Sequence, residues 1–164
     1  MLMKDLKRVK LLDLVPEERD AVALALKVRE NAYAPYSEYK VGVVVADTFG
    51  EMYAGVNAEN HIYKVPHAEE IACGAMLTAG RYKFDLLVCA SANGGIPCGS
   101  CLQIIREYAD DDLSKITIIG ARAPNPTEVV RCTFEEAIQV TDSFGPGDLV
   151  PYVPGLARFR GQMA

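Results

Sequence analysis

Two short motifs, far apart in the chain, constrain it more than any other feature: Pro66-His67-Ala68-Glu69 and Pro97-Cys98-Gly99-Ser100-Cys101. Cys98 and Cys101 are three residues apart, so at the start of a helix both sulfurs fall on one side and can chelate a single ion. The unpaired amides and positive dipole end at such a start favour thiolate over thiol. His67 adds an imidazole nitrogen, and one nitrogen with two thiolates is a borderline-soft set that suits zinc over magnesium or calcium. A fold that satisfies this set must bring two helix starts together around one ion.

The two thiolates balance the charge of a zinc ion, and three protein ligands leave the fourth tetrahedral position for water, the arrangement of a catalytic rather than a structural site. Glu69 lies two residues past His67. On a regular helix that spacing sends the side chains to nearly opposite sides. The motif therefore works only if it straddles the helix start, with His67 still free to turn inward. Placed so, Glu69 is the candidate catalytic acid and base, taking a proton from water and passing it on.

Each half alone has a plainer reading. A lone His-x-Glu is usually an ordinary helix turn, and a lone Cys-x-x-Cys is often a redox pair or half of a structural zinc site. A closed structural site would need a fourth ligand from His61, Cys73, Cys89 or Cys132. Cys73 lies about 120° around the helix from His67, and Cys89 and Cys132 sit in apolar strands where cysteine behaves as a small buried hydrophobe. His61 reads as a solvated loop histidine.

The surrounding pattern is that of a mixed α/β chain. Ala21, Leu24, Ala25 and Val28 recur at helical spacing over 17–31, within an N-terminal helical segment taken as 1–32. Strands are predicted at 41–46, 52–56, 84–91, 115–120 and 128–132, and further helices at 67–80, 97–108 and 134–140. The expected fold is a three-layer α/β/α sandwich on a mixed five-stranded sheet. One domain over 1–164 follows, with a core at 33–150 and a Pro- and Gly-containing tail at 151–164.

The formal charge of -5 gives no general attraction to phosphate backbones, so a small neutral substrate is expected rather than nucleic acid. Residues 1–14 lack the apolar core and cleavage site of a secretory signal, and no apolar run is long enough to span a membrane. A cytoplasmic location is expected. There the five cysteines stay reduced, and their odd number argues against a disulfide framework.

With both motifs in hand, the chain resembles the cytidine deaminase family from about Ala32 to Leu149. The metal motifs fit the His-x-Glu and Pro-Cys-x-x-Cys signature of zinc deaminases. Tyr33-Ala34-Pro35-Tyr36-Ser37-Glu38-Tyr39-Lys40-Val41-Gly42 is similar to a family segment whose aromatic, here Tyr39, packs near the substrate. Asn57-Ala58-Glu59-Asn60 matches a family motif whose Asn and Glu hold the ribose 3′-hydroxyl, which implies a nucleoside substrate. Ser143-Phe144-Gly145-Pro146-Gly147-Asp148-Leu149 is similar to the segment whose phenylalanine, here Phe144, reaches into a neighbour's site. The resemblance thus implies one zinc ion per subunit and a homotetramer, with a dimer as the other possibility.

The chain departs from the short tetrameric members at three places. His67 stands where they usually carry cysteine, and Glu70 stands where arginine commonly follows the catalytic Glu. An extra cation offsets the surplus charge of a three-thiolate site, a need that His67 removes. Leu102 and Thr141-Asp142 replace an arginine and a Leu-Pro pair.

The implied reaction is hydrolytic deamination of cytidine or deoxycytidine to the uridine product with release of ammonia. The alternative is a modified or antibiotic-like cytosine nucleoside of the blasticidin type. A non-catalytic zinc scaffold would not need Glu69, and nucleic-acid editing would need a basic or aromatic path for flanking nucleotides.

Overall fold

The computed structural model describes residues 6–62 and 65–142. Its elements run β1 (Arg8–Lys10), α1 (Pro16–Arg29), β2 (Gly42–Asp47), β3 (Met52–Val56), α2 (Ala68–Thr78), β4 (Phe84–Ser91), α3 (Gly99–Ile105), β5 (Thr117–Arg122), β6 (Glu128–Thr133) and α4 (Phe134–Asp142). Short 3-10 turns follow β1 and α3.

The strands form one mixed sheet in the order β1-β6-β5-β4-β2-β3. Only β4 and β5 are parallel. Alternation along each strand divides the core in two. Val44, Ala46, Val88, Ala90, Ile119 and Ala121 face Ala21, Val22 and Ala25 of α1. Val43, Val45, Leu87, Cys89 and Ile118 face Ala72 and Met76 of α2, Leu102 and Ile105 of α3, and Phe134 and Ala137 of α4. The three-layer sandwich expected from the sequence is present. All six residues of β2 are buried: its apolar run through Ala46 predicts this for a strand covered on both faces, and the sixth, Asp47, is satisfied by the Phe49 and Glu51 amides.

Among the described residues the sheet has six strands, not five. Residues 8–10 pair antiparallel with β6, Arg8 opposite Val130 and Lys10 opposite Glu128. The N-terminal helix correspondingly occupies Pro16–Arg29, with residues 8–13 forming β1 and a 3-10 turn instead. An Arg-Val-Lys edge strand exposes both charged ends and buries little, so it leaves no hydrophobic period to read. Flanking charges of this kind are how edge strands avoid further pairing.

Two close approaches seat the helices. A Cβ on Gly42 would strike the Ala25 carbonyl of α1, and one on Gly55 would strike the Ala68 carbonyl and Ala72 amide of α2. The backbone of α2 therefore rests directly on β3, which fixes the height of its first turn above the sheet.

Candidate metal centre and active site

His67 is the residue before the first turn of α2. Its backbone is extended (φ -75°, ψ 156°), and helical geometry begins at Ala68. The motif thus straddles the helix start, and His67 Nδ1 turns toward the sulfurs while Glu69 lies within the first turn. Glu70 Oε2 accepts from the His67 N–H at 2.8 Å and so pins the residue that carries the imidazole. Cys98 has the same extended geometry (φ -70°, ψ 164°) before α3, and Cys101 lies in the first turn.

His67 Nδ1 is 3.1 Å from Cys101 Sγ and 3.8 Å from Cys98 Sγ. The three donor atoms all lie within 4.8 Å of one another, the only such group of three His, Cys, Asp or Glu side chains among the described residues. Zinc–sulfur and zinc–nitrogen bond lengths place tetrahedral donors roughly 3.6–3.8 Å apart, so this set fits a zinc ion with small adjustments. Cys101 is buried, Cys98 half-buried and His67 exposed, which leaves the centre open on the imidazole side.

The electrostatics suit a cation. The hydrogen bond from the Cys101 thiol lowers the Cys98 pKa to about 3, with His67 and Ser100 helping against burial. Cys101 is pushed far up by the same bond and by burial. Before metal uptake the two sulfurs therefore share one proton, which binding must release. The bond to Cys98 raises His67 above its ordinary value, against burial. Glu69 is only 4% exposed. Burial raises its pKa, a direction opposed by hydrogen bonds to its own backbone and to Cys101 and by the charge on His67.

Across the site, residues 33–41 form a loop held from below by two buried side chains of the segment after β3. Asn57 Oδ1 accepts from the Val41 N–H at 2.8 Å, and its Nδ2 donates to the Tyr39 carbonyl at 2.9 Å. Glu59 Oε2 accepts from the Tyr36 and Ser37 amides at 2.8 and 3.2 Å, and its Oε1 accepts from the Ser37 hydroxyl. Tyr39 reaches from this loop toward the metal-bearing segment, where its hydroxyl donates to Asn93 Oδ1 at 2.8 Å. Phe144 and the rest of the 143–149 motif lie outside the described residues.

The profile of the cytidine and deoxycytidylate deaminase zinc-binding region matches residues 16–116, a span that contains the three donors and Glu69. The chain belongs to that family. The deaminase is 36% identical over 95 residues to the cytidine deaminase of Sporosarcina psychrophila, covering 56% of this chain and 70% of that one. It is 30% identical over 92 residues to the cytidine deaminase of Mycobacterium tuberculosis, covering 54% of this chain and 69% of that one. The crystal structure of the cytidine deaminase from Mycobacterium leprae superposes with a TM-score of 0.62 at 27% identity, covering 77% of this chain and 98% of that one. The deaminase is accordingly an enzyme of the aminohydrolase type with one zinc ion per subunit, and His67, Cys98 and Cys101 are the residues able to hold it.

The remaining cysteines are buried in the core, as their apolar surroundings suggest. Burial pushes Cys73 and Cys132 up to about 12 and Cys89 well above its usual value, so none is poised as a nucleophile. His61 is exposed. Three residues that tie the loop beside the site were given no role of their own from the sequence. Ser37 could have been found from its place between Tyr36 and Tyr39, Asn93 gave only the turn signal Asn-Gly, and Ser91 gave none.

Proposed function

We propose that the deaminase converts cytidine or deoxycytidine and water into uridine or deoxyuridine and ammonia. The observation that carries this reading is a buried carboxyl of raised pKa, Glu69, in the first turn of the helix whose preceding residue, His67, groups with the Cys98 and Cys101 sulfurs. Zinc, when bound, supplies a Lewis acid that makes water acidic near neutral pH. Glu69 accepts a proton from the attacking water, delivers one to the ring nitrogen next to the amine-bearing carbon and helps protonate the departing amine. Its raised pKa suits a group that must both take and give protons. Cys98 and Cys101 neutralise the ion's charge, so no extra cation beside Glu69 is needed.

A nucleoside rather than a free base is supported by Asn57 and Glu59. Three donors already occupy the Glu59 carboxylate, which has about four acceptor sites, so capacity for a sugar hydroxyl remains on Oε1. Tyr39 stands beside the base. The named relatives are cytidine deaminases, which favours cytidine over modified or antibiotic-like nucleosides. The chain acts as one deaminase unit, assembles as a homotetramer in which Phe144 completes a neighbour's site, and works in the cytoplasm. Among the described residues no helix is long and apolar enough to cross a membrane.

Incubating the purified, zinc-loaded protein with cytidine should give uridine and ammonia in equal amounts. Absence of both would refute the reading, and sedimentation of a monomer would refute the shared site.

A further inference from the structure

Asn93 gathers three donors from three different places on one oxygen. Its Oδ1 accepts from the Tyr39 hydroxyl at 2.8 Å, the Ser91 hydroxyl at 2.8 Å and the Gly95 amide at 3.1 Å. Gly95 belongs to the segment that leads into Cys98, Ser91 ends β4, and Tyr39 lies 54 residues earlier in the loop across the site. The backbone does not demand asparagine here. The left-handed residue of this Asn-Gly pair is Gly94 (φ 69°), while Asn93 has an ordinary φ. A turn closed by Asn93 onto Gly95 is a common local device, but it needs neither Tyr39 nor Ser91.

The segment it holds has little freedom elsewhere. A Cβ on Gly120 would lie 2.6 Å from the Gly94 carbonyl and 2.9 Å from the Gly95 carbonyl, so residues 94–95 rest on the β5 backbone. The floor of this segment is set by the sheet. Its lateral tie to the opposite loop passes through Asn93.

We propose that Asn93 is a positioning residue that clamps the Tyr39 loop to the segment carrying Cys98 and thereby sets the width of the substrate opening. Asn93 is not among the three metal donors. It acts through Tyr39, so its loss weakens ground-state binding while leaving the proton transfers of Glu69 intact. The kinetic part rests on the proposed deamination, whereas the clamp itself does not.

The test compares the wild-type protein, Asn93→Leu, Asn93→Asp and Tyr39→Phe, each zinc-loaded. Leucine matches the shape of asparagine but accepts no hydrogen bond, and aspartate keeps the acceptor oxygen. For Asn93→Leu the KM for cytidine should rise about fivefold or more, the scale of a lost hydrogen bond, with kcat and zinc content unchanged. Amide hydrogen exchange should speed up both at 94–96 and, across the site, at 36–41, and Asn93→Asp should restore KM and protection. Tyr39→Phe should likewise speed exchange at 94–96, which tests the clamp even if Asn93→Leu fails to fold. An unchanged KM, a fall in kcat at constant KM, lost zinc, exchange confined to one loop, or no rescue by aspartate would each overturn the proposal. If the wild-type protein left cytidine untouched, the deamination reading would fall and the exchange data would still decide the clamp.

Discussion

His67, Glu69, Cys98 and Cys101 stand at the starts of two helices, one of them packed backbone to backbone on β3, whereas the loop at 33–41 opposite them has a single isolated β-bridge, Tyr33 to Ala58. The loop also contains the one non-glycine residue with positive φ among the described residues, Glu38 at 58°. Besides backbone bonds at its two ends and the Arg29 bond to the Lys40 carbonyl, it is tied in place by the side chains of Asn57, Glu59 and Asn93. The metal side is thus placed by regular structure, and the mouth is placed largely by side-chain hydrogen bonds, part-buried at Asn57 and Glu59 and exposed at Asn93. Damage to the first should appear as lost chemistry, and damage to the second as weakened binding.

The largest effect should come from Glu69→Gln. Its kcat should fall by roughly 10²–10⁴-fold, the usual contribution of a proton-transfer group, with zinc content unchanged. A variant that kept its rate would break the assignment of chemistry to the helix-start side. Glu59→Ala comes next: removing an acceptor of three bonds should cost roughly 1–3 kcal/mol in chemical denaturation and raise KM more than it lowers kcat. If kcat alone fell, the division between the two sides would be wrong.

Glu70→Ala should be milder. Losing the bond to the His67 amide costs about 0.5–2 kcal/mol, the range for helix caps, and should speed zinc release into a chelator because the imidazole is less firmly held. Unchanged release would confine Glu70 to the helix.

The smallest signal is a slope with pH. Burial raises the folded-state pKa of Glu69 above its unfolded value, so the fold disfavours the carboxylate relative to the unfolded chain. Its contribution is fully present below the unfolded value, about 4.3, and is lost as pH rises through the folded value. Metal-free Glu69→Gln should therefore gain Tm relative to metal-free wild type as pH climbs from 4 toward 8, with the gap closing at the acid end. A gap independent of pH would contradict the buried, uphill carboxyl.

The contrast between the two sides also explains what could be read from the sequence. Ligand spacing and helix starts are local signals, so the grouping of His67, Cys98 and Cys101 and the inward turn of His67 ahead of its helix were legible in the sequence. The central strands were legible for the same reason, because burial on both faces writes an unbroken apolar run in β2. β1 was not, since three edge residues with charged ends carry no period.

Glu70 was read only through its charge. Its capping role was hidden because the partner residue is histidine, not the Ser or Thr that marks a capping box. Asn57 and Glu59 were placed at the correct strand end, but their bonds to the loop depend on how 33–41 folds back over β3. The Tyr39 and Asn93 pairing joins positions 54 residues apart and has no sequence signature at all.

The central claim is that one zinc ion held by His67, Cys98 and Cys101 runs the deamination with Glu69. Its most direct test is metal removal: strip the protein with a chelator, measure zinc by atomic emission and follow uridine formation from cytidine before and after zinc is restored. The account predicts one zinc per subunit, loss of uridine formation in step with the metal, and recovery on adding zinc back. Undiminished turnover in zinc-free protein would contradict it.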